Sequence, residues 1–186
     1  MKGLFNRASS SLPNLTYARR IILLGLVVFL FLLDQLSKAL FHRWLEVGQS
    51  IPVAQDIFHF TLVHNKGAAF SLFQEQPLLL LGFTLFLFLG FLIYALKRPL
   101  LQQAEMVSLS LILGGALGNI ADRLTLGYVV DFLDFTLIDY PIFNLADIFI
   151  FCGIVLMIIR VLQQPVDTSV NDHSTIENGR VSHESK

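Results

Sequence analysis

Residues 21–40 read IILLGLVVFLFLLDQLSKAL, and the first charge in this stretch is Asp34. The hydrocarbon core of a bilayer is about 30 Å thick and an α-helix rises about 1.5 Å per residue, so about 20 mostly apolar residues are enough to span it. Three further stretches of similar length and composition occur at 77–96, 104–121 and 144–162. The sequence therefore predicts an all-α membrane protein with four transmembrane helices.

The composition of the whole chain agrees with this prediction. Of its 186 residues, 54% are hydrophobic and only 15% are charged, and the mean hydropathy is +0.66. With 13 Lys and Arg against 14 Asp and Glu there is no basic surplus for phosphate backbones, so we expect no nucleic-acid partner. The single cysteine, Cys152, lies in an apolar stretch and excludes an internal disulfide or a Cys-rich metal site. We expect neither a metal nor a cofactor.

The distribution of basic residues predicts the orientation in the membrane. Four spans place both termini on one side, and the excess of Lys and Arg there marks that side as cytoplasmic. The predicted organisation is a cytoplasmic N-terminal segment at 1–20, a four-helix membrane domain at 21–163 and a disordered cytoplasmic tail at 164–186. No regular structure is predicted for residues 1–18. The basic residues on the cytoplasmic side are Lys2, Arg7, Arg19, Arg20, Lys97, Arg98, Arg160, Arg180 and Lys186.

Two longer connections, at 41–76 and 122–143, then lie on the exoplasmic side. Residues 36–47 mix apolar and charged side chains around Trp44, which predicts an interfacial helix. Residues 57–64 are rich in β-branched and aromatic side chains, which predicts a short strand in a small sheet on the membrane. The predicted fold is thus four transmembrane helices, a small exoplasmic β-containing loop region and an interfacial helix.

Three carboxylates lie in or beside apolar stretches: Asp34, Asp131 and Asp147. Charged groups at membrane depth are costly and are therefore functional candidates. Asp34 is four residues before Lys38, so these two residues share a helix face and can form an ion pair. Asp131 and Asp147 have two interpretations: each pairs with Arg123 or Lys38 in a structural role, or the two converge and share a proton. A converging pair would supply one base to activate water and one acid for the leaving group.

Other interpretations of the polar residues are a Ser-Lys dyad and a small proton-coupled transporter. Ser37 and Lys38 are adjacent in a helix, where successive side chains diverge by about 100°, so a dyad there is poorly aimed. A transporter needs ionisable groups across the whole membrane, whereas the candidates cluster at one face.

The glycines of GGALG (114–118) predict close helix packing that turns Asn119 and Arg123 towards the bundle interior.

Five separated motifs carry a resemblance to a known family. They are DQLSK (34–38), NKGAAFS (65–71), GNIADR (118–123), VVDF (129–132) and FNLAD (143–147). In this order and topology they closely resemble signal peptidase II, the lipoprotein signal peptidases. The resemblance implies a multi-pass intramembrane aspartyl endopeptidase of the bacterial cytoplasmic (inner) membrane. Such an enzyme removes the signal peptide of a prolipoprotein by cutting before its diacylglyceryl-modified cysteine.

The resemblance also implies roles for individual residues. Asp131 and Asp147 match the catalytic pair, near the exoplasmic face, and Asp122 matches a motif position for which we favour a structural role. Asp134 and Asp139 match no motif position. The residues implied to bind substrate or shape the site are Asp34, Lys38, Asn65, Asn119, Arg123 and Asn144.

The motif at 65–71 also suggests a substrate cover, because Gly67 and two alanines add little bulk beside an apolar Phe70. The resemblance implies that the partners are diacylglyceryl-modified prolipoproteins, membrane lipids and globomycin-like inhibitors. The alternative to an enzyme of this family is a non-catalytic binder of lipidated proteins. We expect the protein to function as a monomer.

Overall fold

The computed structural model describes residues 5–67, 76–98, 102–138 and 140–163. Within these ranges the chain forms four α-helices, three β-strands and a short 3-10 turn at Thr136–Ile138. Each helix contains a segment long and apolar enough to cross a membrane, as predicted. The tail predicted at 164–186 lies outside the described residues. In chain order the elements are α1 (Phe5–Trp44), β1 (Ser50–Ala54), β2 (Phe58–Asn65), α2 (Pro77–Lys97), α3 (Gln103–Thr125), β3 (Val129–Asp134) and α4 (Leu145–Leu162).

Helix α1 corrects two predictions about its ends. It begins at Phe5, within the segment 1–18 for which no regular structure is predicted, and it runs without a break to Trp44. The predicted interfacial helix at 36–47 is therefore not a separate element. Near its C-terminal end α1 stays in contact with the protein: Phe41 stacks on Phe132 with ring centroids 4.1 Å apart, and Leu45 just beyond the helix is buried. Because the helix is packed there, it has no reason to break before Trp44.

Helix α3 is the centre of the bundle. In its apolar window 72% of the residues are buried, against 17% or fewer in the other three helices. Gly114 faces α1, where an added Cβ would lie 2.8 Å from the Cβ of Leu30. Gly115 faces α4, where an added Cβ would overlap the carbonyl oxygen of Ala146. The glycines therefore bring the backbone of α3 close to both neighbours, which confirms the packing role predicted for GGALG.

The three strands form an antiparallel sheet in the order β1-β2-β3 at one end of the bundle. Strand β2 confirms the strand predicted at 57–64, whereas β1 and β3 are not predicted. The first four residues of β3 are all buried, so its sequence shows no alternation of apolar and polar residues. The sheet packs on the end of α1 through buried Leu45, Leu62 and Phe132. We refer below to this end of the bundle as the sheet end.

We expect Gly115→Ala to lower the stability of the bundle, because the new methyl group meets a backbone carbonyl that cannot rotate away. Overpacking of this kind costs about 1–3 kcal/mol. Thermal unfolding in detergent measures the loss. Gly90→Ala in α2 is the matched control, since nothing lies within 4 Å of a Cβ there; its melting temperature should be no lower than that of the wild type, because alanine is the better helix former. Equal melting temperatures for both variants would contradict the packing role of Gly115.

Candidate active site

A buried lysine joins α1 to α3 near the sheet end. The Nζ atom of Lys38 lies 2.8 Å from Asp34 Oδ2, 2.9 Å from Asp122 Oδ2 and 2.9 Å from Asn119 Oδ1. The ammonium group has three N–H donors, and these three acceptors match them in number. The predicted pairing of Asp34 with Lys38 is therefore present, but it belongs to a larger cluster. All four side chains are buried.

The two carboxylates of this cluster also hold backbone groups in place. Asp34 Oδ1 accepts the N–H of Ala146 in the first turn of α4, at 3.0 Å. Asp122 Oδ2 accepts the N–H of Val130 in β3, at 3.2 Å. Gln35, which the sequence analysis did not single out, donates to Asp122 Oδ1 at 2.9 Å. The cluster thus ties α1 and α3 to β3 and to the beginning of α4, consistent with a structural role for Asp122.

The beginning of α4 is also attached directly to β3. Leu133 and Phe143 exchange two backbone hydrogen bonds, of 2.8 and 3.0 Å. The next residue, Asn144, is the N-cap of α4, and its Oδ1 accepts the N–H of Asp147 at 3.0 Å. The Asn144 Nδ2 donates to Asp131 Oδ1 at 2.7 Å. One side chain therefore contacts both Asp131 in the strand and the backbone of Asp147 in the helix.

The amide of Asn119 has its orientation set by its neighbours. Its Oδ1 accepts from Lys38 Nζ and, at 3.0 Å, from Asn144 Nδ2, while its Nδ2 donates to Asp147 Oδ1 at 2.8 Å. An ammonium only donates and a carboxylate only accepts, so the opposite orientation of the amide would lose these contacts. Asn119 thereby links the buried lysine to the Asp147 carboxylate.

Asp131 lies in β3, outside the membrane-spanning segments, and its carboxyl group has a strongly shifted pKa. Burial, and then the negative charge of Asp147, raise the pKa of Asp131 to about 7. The opposing contribution comes chiefly from hydrogen bonds, including that from Asn65 Nδ2 to Asp131 Oδ2 at 2.8 Å. The N–H of Gly67 donates to Asn65 Oδ1 at 2.9 Å and so orients this amide. At neutral pH, the protonated and ionised forms of Asp131 are therefore both present in large fractions.

The carboxylates of Asp131 and Asp147 open onto one cavity of about 320 Å³. Its polar part lies where β2, β3 and α3 meet, and its apolar part runs along α4. The sequence analysis did not predict residues 140–142 or the α4 positions in the cavity wall. Their nearness to the motif at 143–147, on either side of it, was the available signal. The lining residues are Asn65, Gly67, Asn119, Arg123, Val129, Asp131, Tyr140, Pro141, Ile142, Phe143, Asp147, Ile150, Phe151 and Ile154.

The predicted site residues divide into two groups by position. Asn65, Gly67, Asn119 and Arg123 line the cavity with the two carboxylates, whereas Asp34, Lys38 and Asn144 lie outside its lining. These last three residues support the cavity from behind. Residues 68–71 of the predicted cover, and Asp139, lie outside the described residues.

The structural alternative for the two carboxylates requires a cation partner. Over the part of the chain that the structure describes, neither Asp131 nor Asp147 has a Lys or Arg nitrogen within 4.0 Å; Lys38 instead pairs with Asp34 and Asp122. The Ser-Lys dyad is also not formed, because the hydroxyl of Ser37 donates to the carbonyl of Asp34 at 2.7 Å. The geometry therefore favours the shared-proton interpretation.

Residues 26–163 match the family model described as signal peptidase (SPase) II. The chain belongs to the signal peptidase II family. It is similar to the lipoprotein signal peptidase of Nostoc sp. strain PCC 7120, with 46% identity over 135 residues that cover 73% of this chain and 85% of the relative. It is also similar to the lipoprotein signal peptidase of Brevibacillus brevis strain 47, with 42% identity over 129 residues that cover 69% and 87% of the two chains.

Solved structures agree with the family assignment. A bacterial membrane enzyme determined by the in meso method at 2.3 Å resolution superimposes with a TM-score of 0.70 and 29% sequence identity, over 83% of this chain and 94% of the other. All five motifs fall within the residues that the family model matches. The chain is therefore a hydrolase of a bacterial signal peptidase family, built as a multi-pass membrane protein.

We expect Lys38→Met to destabilise this peptidase severely, because it leaves Asp34 and Asp122 buried side by side without their cation. Removing one partner of a buried ion pair costs about 3–5 kcal/mol. Chemical denaturation in detergent measures the change. Lys97→Met is the control, since Lys97 is exposed at the end of α2, and it should change stability by less than about 0.5 kcal/mol. A Lys38→Met variant as stable as the control would show that the lysine cluster does not support the fold.

Proposed function

We propose that this chain is an aspartyl endopeptidase that removes signal peptides from bacterial prolipoproteins, hydrolysing the peptide bond before the diacylglyceryl-modified cysteine. The observation that carries the proposal is the placement of Asp131 and Asp147 on one cavity, bridged by Asn144 and without a cation partner among the described residues. The names of the relatives, lipoprotein signal peptidases, support the class of substrate.

In the proposed reaction, Asp147 is the base and Asp131 the acid. Asp147 takes a proton from water as the water oxygen attacks the carbonyl carbon of the scissile bond. Protonated Asp131 donates a hydrogen bond to the developing oxyanion and then its proton to the leaving amine as the C–N bond breaks. The products are a signal peptide with a new carboxylate and a lipoprotein with a free amine on its lipidated cysteine. Transfer of a proton from Asp147 to Asp131 restores the resting pair.

The environment of each carboxylate supports this division of roles. The pKa of Asp131, about 7, leaves a large fraction of this group protonated at neutral pH. An ionised Asp147 is accommodated by N–H donors from Asn119 and from the backbone of Asn144, at 2.8 and 3.1 Å. It also lies within the electrostatic reach of Lys38 and Arg123. One proton shared by two unlike sites supplies the acid and the base that hydrolysis needs.

The shape of the cavity suits a substrate that is partly peptide and partly lipid. Its polar end holds the two carboxylates, and Ile150, Phe151 and Ile154 continue its wall down the exposed side of α4. A scissile bond at the membrane surface can therefore reach the carboxylates while apolar groups stay beside apolar helix. With the termini cytoplasmic, as the basic residues predict, this end is exoplasmic. Gly67 in the cavity wall is where the proposed cover would begin.

The transporter alternative gains no support from the described residues. Buried polar groups in the half of α3 away from the sheet end include Ser108 and Ser110, and both hydroxyls donate to carbonyls of their own helix, Ala104 and Met106. These contacts satisfy the hydroxyls locally and build no chain of ionisable groups. A hydrolytic site at one end of the bundle fits the arrangement better.

We expect Asp131→Asn and Asp147→Asn each to reduce cleavage of a lipidated prolipoprotein by at least about a thousandfold, with folding and substrate binding retained. An amide keeps the size of the carboxyl group but cannot exchange its proton. The double variant should be hardly worse than either single variant, because the two groups act as one unit. Mass spectrometry of both fragments after incubation with purified protein measures the rate and the position of the cut.

The matched control for these variants is Asp134→Asn. Asp134 lies on the same strand as Asp131, but it accepts from the Thr61 hydroxyl at 2.6 Å instead of lining the cavity. Cleavage by this variant should stay within a few-fold of the wild-type rate. Near-normal cleavage by either the Asp131 or the Asp147 variant would overturn the proposed pair.

The pH dependence of cleavage provides a separate prediction. Because the proposed acid must hold a proton, cleavage should fall as the pH rises through about 7, the pKa of Asp131. Asn65→Ala removes a hydrogen bond that favours ionised Asp131. The pH at which cleavage falls should therefore rise by about half to one unit, and the maximal rate should be lower. Thr61→Val, which removes the hydrogen bond to Asp134, should leave that pH unchanged. A downward shift for Asn65→Ala would contradict the assignment of Asp131 as the acid.

A further inference from the structure

At the end of the bundle opposite the sheet, all four helices pack together around buried Ala95 and Leu109. Each helix contributes at least one side chain to this cluster, so these side chains lie at the same height along the bundle axis. The partly buried members are Leu23 of α1, Phe91 and Tyr94 of α2, Met106 of α3 and Met157 of α4.

One helical turn beyond this cluster, the side chains become basic. Arg20 precedes Leu23 by three residues on α1, and Arg160 follows Met157 by three residues on α4. Arg98 is the C-cap of α2. Helix α1 begins at this end of the bundle, and α2 and α4 finish at it. All three arginines therefore lie on the same side of the apolar cluster, towards the end of the bundle. We call the resulting surface the basic end; it comprises Arg19, Arg20, Lys97, Arg98 and Arg160.

The basic end carries little compensating negative charge. Among the residues that the structure describes, Glu105 is the sole carboxylate at this end, and it is buried. Its Oε2 accepts the backbone N–H of Gln102 at 3.0 Å and caps α3. The carboxylate is thus turned into the protein, whereas Arg20, Lys97 and Arg98 are exposed.

Three guanidinium groups of the basic end are held in place while keeping donors available. Arg20 Nη2 donates to the carbonyl of Leu96 at 3.1 Å, and Arg98 Cζ lies 5.2 Å from the centroid of the Tyr94 ring. Arg160 Nη2 donates to Gln102 Oε1, and its buried Nε has no acceptor within the described part of the chain. Each guanidinium has five N–H donors, so one contact within the protein leaves further donors that can bind an anion.

We propose that the basic end binds the phosphate of an anionic phospholipid headgroup. The α2 window from Leu78 to Lys97 has 20 residues, enough to place Lys97 and Arg98 at headgroup depth. Ile21 and Leu96, beside the cations, are 70% and 56% exposed, so apolar surface adjoins the charge. A ligand that joins an anion to acyl chains matches both features, whereas a soluble anion matches only one. Guanidinium forks bind phosphate oxygens well, and basic pockets between cytoplasmic helix ends bind acidic lipids.

The test is native mass spectrometry of the full chain released from detergent micelles that contain either phosphatidylglycerol or phosphatidylcholine with the same acyl chains. The wild type should retain phosphatidylglycerol at least about fivefold more than phosphatidylcholine. The triple variant Arg20→Gln, Arg98→Gln and Arg160→Gln should lose most of this preference, because it removes three of the cations that attract the headgroup. Arg→Lys changes at the same three positions should retain part of it, since the charge remains without the planar fork.

Arg43→Gln is the matched control, because Arg43 is an exposed arginine near the other end of α1; its phosphatidylglycerol retention should equal that of the wild type. Inorganic phosphate at millimolar concentration should displace little lipid, since it lacks acyl chains. Equal retention of the two lipids by the wild type, an equal loss in the Arg43 variant, or displacement by phosphate alone would each overturn the proposal. Cleavage of prolipoprotein in detergent by the triple variant should stay near the wild-type rate, so this test is independent of the catalytic proposal.

Discussion

The site depends on the contacts of the Lys38 ammonium group, which is buried between α1 and α3. Its three acceptors are Asp34, Asp122 and Asn119. A buried cation is stable only when its charge and its donors are both satisfied, so the cluster admits few alternative arrangements of these helices. Through Asp34 it also reaches the backbone of Ala146, and it thereby sets where α4 begins relative to α1.

Two side-chain amides connect the lysine by hydrogen bonds to the two carboxylates that line the cavity. Asn119 joins Lys38 to Asp147, and Asn144 joins Asn119 to Asp131. Amide groups suit this position because they donate and accept at once without adding charge, so they orient a carboxylate while leaving its proton free to move. In this polar network the side chains behind the cavity pair with one another, and they hold Asp131 and Asp147 in its wall.

The rest of the bundle divides its surface between protein and lipid. Helix α3 is mostly enclosed, and its glycines let α1 and α4 approach until their polar residues meet. Helices α1 (from Tyr17 onward), α2 and α4 expose many of their apolar side chains, as expected for lipid contact. The sheet packs on the end of α1 and supplies Asp131 and Asn65, so two structurally different layers contribute to one cavity.

The sequence by itself determined the four spans, the strand at β2, the Asp34 to Lys38 pair and, through its five motifs, the family. These features are local or depend on composition, because hydropathy, an i,i+4 spacing and a motif need no knowledge of distant contacts. Only the tertiary structure decided that α1 continues to Trp44, that residues 129–134 form a strand, and that Lys38 pairs with Asp122 instead of with Asp131 or Asp147. Each of these depends on packing between segments far apart in the chain: burial on both faces hides a strand's alternation, and the partner of a buried charge is chosen by which elements the fold brings beside it.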